Sequence, residues 1–314
     1  MADINTNINW YPGHMAKAKR NIVSALPNID MVIELRDARA PISSANPDFK
    51  SLFGGKPTLT LLTKSALADP ALTACYERQL SGGNIAAMAI DCKTGWGIKK
   101  INGAIRELMR EKLARDAQRG IKRPIRAMVA GITNVGKSTF INTVCGERRA
   151  AAEDRPGVTR QNARISVPAL GLELTDTPGL LWHKFEDKAV GMKLACLGSI
   201  NDDIIDQTAL CYDLIALISP RYSGSICERY GISIEEGDTA GEIFEKIARR
   251  RGFLCRGGVV DDERTARVVL DEFRAGKLGR MTLEMPVKKA RLTIPGAKKD
   301  DENKPQEENS DGED

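Results

Sequence analysis

The sequence predicts an α/β protein with a mostly parallel sheet, and three observations carry that reading. Short apolar segments at 31–35, 58–62 and 85–90 each end in a polar or glycine-containing stretch, as parallel strands buried on both faces do. Helical periodicity lies between and after them, clearest over 98–115, where Ile101, Ile105, Leu108, Met109 and Leu113 share one face. A further apolar segment, 125–130, runs directly into Gly131-Ile132-Thr133-Asn134-Val135-Gly136-Lys137-Ser138. Strands alternating with helices define the class.

Length and composition bound what else the chain can be. Its 314 residues, 42% of them hydrophobic, suffice for one large or two modest cores. No apolar run approaches the ~18 residues of a membrane helix, and the start MADINTNINW lacks a basic-then-apolar leader pattern, so a cytoplasmic protein with no membrane partner is expected. The seven cysteines stand singly, with no CxxC, and only His14 and His183 represent histidine, which argues against a zinc centre and a disulfide framework. The net charge of +5 conceals an asymmetry: residues 298–314 set three lysines against eight acids, which leaves +10 on the rest. A basic body suits a polyanionic partner, and the acidic tail, 291–314, has too few apolar residues to fold.

The segment 131–138 fits GxxxxGK[ST], placed after a strand and before the apolar-periodic stretch 139–145, the context a phosphate-binding loop requires. Backbone N–H groups across Asn134, Val135, Gly136, Lys137, Ser138 and Thr139 are expected to surround phosphates, with the helix N-terminus favouring negative charge. Lys137 is expected on the β- and γ-phosphates and Ser138 on a magnesium ion. Downstream, the strand 172–175 runs into Asp176-Thr177-Pro178-Gly179. An acid at a strand end for magnesium, and a glycine N–H for the γ-phosphate, are what a magnesium-dependent nucleoside triphosphatase needs. Between the two motifs lies Arg155-Pro156-Gly157-Val158-Thr159, where the Thr159 hydroxyl could close over the magnesium and release after hydrolysis.

In ordinary GTPases the base-reading segments follow the phosphate loop; here a helical pattern follows, and the candidate strands precede it. A parallel sheet builds its site from loops at strand C-termini, so a permuted chain order preserves the site. At this point the chain resembles the ribosome biogenesis GTPase A family of circularly permuted GTPases, over about residues 8 to 286. The residues that carry the resemblance are Trp10-Tyr11-Pro12-Gly13-His14-Met15, Asp37-Ala38-Arg39-Ala40-Pro41, the loop with Asn134, the Arg155 and Asp176 motifs, and Phe273-Arg274-Ala275-Gly276-Lys277-Leu278-Gly279-Arg280. The resemblance implies a permuted P-loop GTPase domain over 1–190, an all-helical RNA- or ribosome-binding domain over 191–290, and GTP hydrolysis coupled to assembly of the large ribosomal subunit. Its implied partners are the subunit precursor and its rRNA, with no DNA, and the protein is expected to be a monomer off the ribosome.

One departure stands out. The family reads guanine with Asn-Lys-x-Asp after the second strand, and the matching residues here are Thr63-Lys64-Ser65-Ala66. The family's Asp accepts two hydrogen bonds from guanine, each charge-assisted and worth about 1.5–3 kcal/mol; Ala66 accepts none. Lys64 can still lay its stem along the base, and the loop Asp91-Cys92-Lys93-Thr94-Gly95 can offer backbone N–H groups to the guanine carbonyl. GTP is the expected nucleotide; a relaxed-specificity NTPase and a nucleotide-insensitive RNA-binding scaffold are the alternatives.

The residue after Gly179 is Leu180, which cannot orient water as the glutamine of Ras-like enzymes does. The resemblance suggests His14, in a short glycine-containing turn, as the catalytic group, and a potassium ion held partly by Asn134. The alternatives are an rRNA or structural contact for His14 and a loop cap for Asn134. Weak intrinsic hydrolysis, accelerated on a ribosomal particle, follows. In the second half the helical patterns run over 202–212, 240–250 and 265–273. Lys246, Arg249, Arg250 and Arg251 fit either a solvated helix face or, with Arg256, contact with rRNA phosphates.

Overall fold

The computed structural model describes residues 12–146, 164–177, 179–181 and 187–286. Residues 155–159, His183 and the acidic tail lie outside the described residues, as do the side chains of His14 and Asp176.

Six strands form one sheet in the order β3-β2-β1-β4-β6-β5. They are β1 (Met31–Asp37), β2 (Thr58–Thr63), β3 (Ile85–Ala89), β4 (Ile125–Gly131), β5 (Arg164–Val167) and β6 (Leu172–Asp176). Every neighbouring pair is parallel except β5 and β6. Strand β1 is buried along its whole length although it contains Glu34 and Arg36. Two residues apart on one face, they form a bidentate pair at 2.8 and 2.9 Å, so neither charge is left unpaired. The edge strand β5 was not foreseen: its four residues are too short and too exposed to register as an apolar segment.

The helices are α1 (Pro12–Ala25), α2 (Asp48–Leu52), α3 (Pro70–Leu80), α4 (Ile101–Leu108), α5 (Arg110–Gln118), α6 (Lys137–Cys145), α7 (Lys188–Cys196), α8 (Gln207–Tyr230), α9 (Ala240–Arg251) and α10 (Asp262–Arg274). Their ends carry recognisable signals: Asp69 caps α3 ahead of Pro70, and Thr239 with Glu242 forms a capping box on α9. The single helix expected over 98–115 is two. Met109, at φ −102°, ψ 11°, turns the chain so that α4 buries Ile101 and Ile105, while α5 only half-buries Leu113 against the core. Helix α5 runs on past residue 115 to Gln118, and within it Lys112 and Asp116 pair at 2.7 Å one turn apart. The stretch expected as a helix over 202–212 is a short turn at Asp202–Ile204 followed by α8, which is kinked at Tyr222 just after Pro220. No helix among the described residues is long and apolar enough to cross a membrane.

One buried apolar cluster runs from Met31, Ile33 and Leu35 of the sheet through Leu210 and Leu214 of α8 to Ile243, Phe244, Val269 and Phe273. A second covers the other sheet face, joining Ile22 and Leu26 to Val32, Phe49, Met128 and Leu180.

Candidate nucleotide-binding site

The strands β1, β2, β3, β4 and β6 are mutually parallel, so the loops that follow them open at one end of the sheet. Register fixes their relative heights: Leu35 lies beside Gly131, Asp37 beside Thr63, and Val129 beside Asp176. Permuted order therefore brings together segments that are more than 100 residues apart.

The loop after β4 wraps tightly and ends on α6. Asn134 and Gly136 take left-handed conformations, at φ +54° and +101°. Gly131 permits the tight approach, because a Cβ there would come within 2.9 Å of the Leu35 carbonyl oxygen and Val135 Cγ1. The buried Lys137 folds its ammonium back onto the loop, donating to the Ile132 carbonyl at 2.7 Å and the Gly131 carbonyl at 3.2 Å. Ser138 and Thr139 follow in the first turn of α6, half-buried and exposed.

Strand β6 delivers the second motif to the same place. Thr177 is buried and donates to the Val129 carbonyl at 2.7 Å, and the Leu180 N–H reaches the Gly131 carbonyl at 3.2 Å. Gly179 is thus pressed against the loop: a Cβ there would sit 3.0 Å from Lys137 Nζ and 3.1 Å from Thr133 Cα. Leu180 is buried in the apolar cluster with Ile22 of α1 and Leu26 just after it. That helix begins at Pro12, so His14 lies in the first turn of a helix and not in the expected turn; Pro at the first helical position supplies the helical φ and lacks only an N–H that would have no partner. Among the described residues, no three His, Cys, Asp or Glu side chains gather to hold a metal.

The base-side loops are laced to the phosphate loop. Thr63 Oγ1 donates to the Val135 carbonyl at 2.7 Å, and Lys64, at φ +56°, donates through Nζ to the Asn134 carbonyl at 2.7 Å and pairs with Asp37 at 3.0 Å. Burial raises the Asp37 carboxyl, but Arg39, Lys64 and the hydrogen bonds from Arg39 outweigh it and hold the group well below the usual carboxylate range. After β3, the Asp91 carboxylate closes its own turn, accepting from the Lys93 N–H at 3.0 Å and the Thr94 N–H at 2.9 Å. The Lys93 N–H expected to face a guanine carbonyl is therefore committed. Within Asp91, Cys92 and Lys93, the backbone N–H of Cys92 alone has no partner among the described residues, since that of Asp91 reaches the Trp96 carbonyl. Burial pushes the Cys92 thiol up to about 11, so it stays protonated.

Asn134 is tied through its side chain to a distant turn. Its Nδ2 donates to the Gly198 carbonyl at 2.7 Å, and Thr133 Oγ1 donates to the Ser199 carbonyl at 2.6 Å. These bonds join the phosphate loop to the turn after α7 and engage only the amide nitrogen of Asn134, not its side-chain oxygen.

Sequence reasoning missed the clamp formed by residues 274–286. Arg280 donates to the Ser65 carbonyl at 3.1 Å and the Ala68 carbonyl at 3.0 Å, and the Met281 N–H reaches the Leu67 carbonyl, so the turn that carries Ala66 is held from outside. Glu284 accepts from the Ile42 and Ser43 N–H groups, and Arg39, stacked on Phe273, donates to the Arg274 carbonyl. The signal was the Gly276-Lys277-Leu278-Gly279-Arg280 run itself. Gly276 has φ +76°, and a Cβ there would fall 2.5 Å from Leu67 Cδ2. We expect Arg280→Ala to lower stability by about 1 kcal/mol, as two charge-assisted bonds on an exposed residue are lost, and to weaken nucleotide affinity several-fold in titration calorimetry. Unchanged affinity would show that the clamp does not support the base-side turn.

The basic residues of α9 are largely paired within the chain. Arg249 bonds Glu245 at 2.6 Å and Arg251 bonds Glu272 at 3.3 Å, while Lys246 pairs with Asp238, which favours the solvated-face reading over phosphate contact. A cleft of about 340 Å³ lined by Asp30, Lys112, Asp116 and Arg123 opens at the opposite, N-terminal end of the strands, away from the site that a parallel sheet builds.

A phosphate-binding loop on a central parallel strand, a DxxG segment against its lysine and base-side loops that come first in the chain define a circularly permuted P-loop nucleotide hydrolase. Residues 126–220 match the family model described as 50S ribosome-binding GTPase. The ribosome biogenesis GTPase A of Priestia megaterium is 43% identical over 281 residues, covering 89% of this chain and 97% of that protein. Two solved structures align along their length: a GDP-bound YlqF (TM-score 0.59, 26% identity, 85% of this chain and 99% of that one) and a GNP-bound YlqF from T. maritima (0.56, 27%, 86% and 98%). The chain belongs to the ribosome biogenesis GTPase A family.

Proposed function

We propose that this protein binds and hydrolyses GTP in the cytoplasm as an assembly factor for the large ribosomal subunit, with the subunit precursor and its rRNA as partners and with no membrane or DNA partner. The observation that carries the reading is the seating of Gly179 against Lys137 and Thr133, which brings the two γ-phosphate motifs into contact. Lys137 exchanges its bonds to the Gly131 and Ile132 carbonyls for the β- and γ-phosphates, while Asn134, Val135, Gly136, Ser138 and Thr139 surround them with backbone N–H groups. Gly179 offers its N–H to the γ-phosphate. Ser138, Thr159 and Asp176 hold Mg²⁺ and Asn134 a K⁺ ion, both of which neutralise phosphate charge. Thr63, Lys64 and the turn of Asp91, Cys92 and Lys93 form the base side, the Cys92 N–H meeting the guanine carbonyl.

Leu180 is buried among apolar side chains and orients no water, so the catalytic group comes from elsewhere. Helix α1 joins that cluster through Ile22, which supports assigning the attacking water to His14 of the same helix. The division into residues 1–190, 191–290 and 291–314 and a monomeric state off the ribosome belong to the same reading. A relaxed-specificity NTPase is the second reading, favoured by Ala66.

We expect His14→Ala to lower kcat on ribosomal particles by about 10²-fold or more with KM for GTP little changed, and replacement of potassium by sodium to slow turnover of the unmodified protein. Both are read in a steady-state phosphate-release assay. Full turnover by the alanine variant removes His14 from the chemistry, and indifference to the cation removes the potassium site.

A further inference from the structure

The turn after β2 lacks a carboxylate at Ala66, yet the neighbouring turn places one beside it. Strands β2 and β3 are parallel neighbours, and the turns that follow them touch, the Ser65 N–H donating to the Ile90 carbonyl at 3.2 Å. Asp91, only 4% exposed, begins the second turn. Its Oδ1 is saturated by the N–H groups of Lys93 and Thr94 and by Thr94 Oγ1 at 3.1 Å. Its Oδ2 reaches across to the first turn, where the Ala66 N–H lies 3.3 Å away, a long bond for an anionic oxygen. A buried carboxylate oxygen with one weak donor is short of hydrogen bonds, and it stands next to the position from which the family reads guanine.

The other acids of the base-side loops are occupied. Asp37 is held by Arg39 and Lys64. Asp69 caps α3 with Oδ1 and turns Oδ2 toward the Tyr222 hydroxyl at 3.3 Å and Arg221 at 3.7 Å. Asp69 stands three positions after Ala66 and is committed to the start of α3.

We propose that Asp91 Oδ2 is the guanine reader of this chain: the carboxylate has moved from the turn after β2 to the turn after β3. This rests on the GTP-site reading above. Guanine presents two donors side by side, the ring N1–H and the exocyclic amine, and an anionic acceptor favours both. Adenine does not present that donor pair, inosine lacks the amine, and xanthine has a carbonyl in its place. The exposed Ala66 methyl leaves the approach open. The turn of Asp91 then serves both halves of the recognised edge, with the Cys92 N–H on the guanine carbonyl and the Asp91 carboxylate on its donors.

Asp91→Asn separates this role from the structural one. The amide oxygen still accepts from the Lys93 and Thr94 N–H groups, while the amide nitrogen takes the place of Oδ2, giving up only the long contact with the Ala66 N–H and presenting a donor to the base. Affinities for GTP, inosine triphosphate, xanthosine triphosphate and ATP are measured by titration calorimetry in Mg²⁺ and K⁺, for the full chain, Asp91→Asn, and Asp91→Asn with Ala66→Asp. The unmodified chain is expected to prefer GTP over the other three. Asp91→Asn is expected to lose about ten- to a hundred-fold in GTP affinity, the worth of one charge-assisted bond, and to gain for the xanthosine nucleotide; adding Ala66→Asp restores GTP preference. An Asp91→Asn protein that keeps the full GTP-over-xanthosine preference overturns the role of Asp91 and leaves the GTP site standing. If Asp91→Asn binds nothing and Ala66→Asp fails to rescue it, the loss is structural and the proposal is overturned. If the unmodified chain does not prefer GTP, the GTP-site reading itself fails.

Discussion

Lys137→Ala is expected to lower kcat/KM for GTP by at least about 10²-fold, the scale on which removal of one preorganised donor to a developing anion acts. Lys137 is the cation nearest to Gly179 in the described structure, with its ammonium 3.0 Å from where a Cβ on that glycine would lie. Its present partners are the loop's own carbonyls of Gly131 and Ile132, so the side chain is already aimed along the loop. Alanine removes the donor to the Ile132 carbonyl while the Gly131 carbonyl keeps the Leu180 N–H, and the fold is retained, because Thr63, Thr133 and Lys64 still lace the loop to its neighbours. Lys137→Arg is expected not to rescue turnover, since the planar guanidinium has no room between Gly179 and Thr133. Phosphate release together with a urea melt separates the two effects. A variant that hydrolyses GTP normally would remove this loop from the chemistry.

The second large effect is on stability. Arg39→Ala is expected to cost about 3 kcal/mol, the low end of the penalty for breaking a buried ion pair, because Lys64 remains as a second cation on Asp37. Arg39 is 2% exposed and donates to both oxygens of Asp37, at 2.9 and 2.8 Å, as well as to the Arg274 carbonyl, and it stacks 5.5 Å from the centre of the Phe273 ring. One substitution therefore loosens the end of β1, the base-side Lys64 and the last turn of α10 together. The same pair sets an acid dependence. The Asp37 carboxyl titrates lower in the folded chain than in the unfolded one, so its contribution is complete above the ordinary carboxylate value of about 3.9 and is lost as pH falls through the folded value. In Arg39→Ala that depression is reduced, with Lys64 and the residue-39 N–H still favouring the carboxylate, so denaturant midpoints are expected to fall less steeply on acidification below pH about 4. Equal acid slopes in the two proteins would show that Asp37 is not governed by Arg39.

What the sequence made legible follows from the physics that each feature uses. The strands β1, β2, β3, β4 and β6 were readable because parallel strands covered on both faces are written as continuous apolar runs, each a residue or two short of or past its true end. The phosphate loop was readable because its backbone needs glycines at fixed spacing, and the permuted order because the motifs survive in sequence. Features that depend on distant pairing were not readable. Arg280 bonds carbonyls more than 200 residues away, and nothing local to Gly276–Arg280 names Ser65 or Ala68 as its target. The approach of Asp91 to Ala66 needs the β2–β3 register, which periodicity alone does not supply. Pro12-Gly13 looked like a turn because both residues favour turns, whereas Pro at a first helical position starts α1. The basic run of α9 fitted either a solvated face or phosphate contact; Glu245 lies one turn before Arg249, but the partners Asp238 and Glu272 lie outside the helix, where periodicity does not show them.

The central claim is that this fold is a GTP hydrolase that works on the large ribosomal subunit. Its most direct test is steady-state phosphate release from GTP and from ATP, in magnesium and potassium, with and without large-subunit particles. The account predicts slow release from GTP alone, marked acceleration by the particles, and little release from ATP under either condition. Equal release from the two nucleotides, or GTP turnover that large-subunit particles leave unchanged, would contradict it.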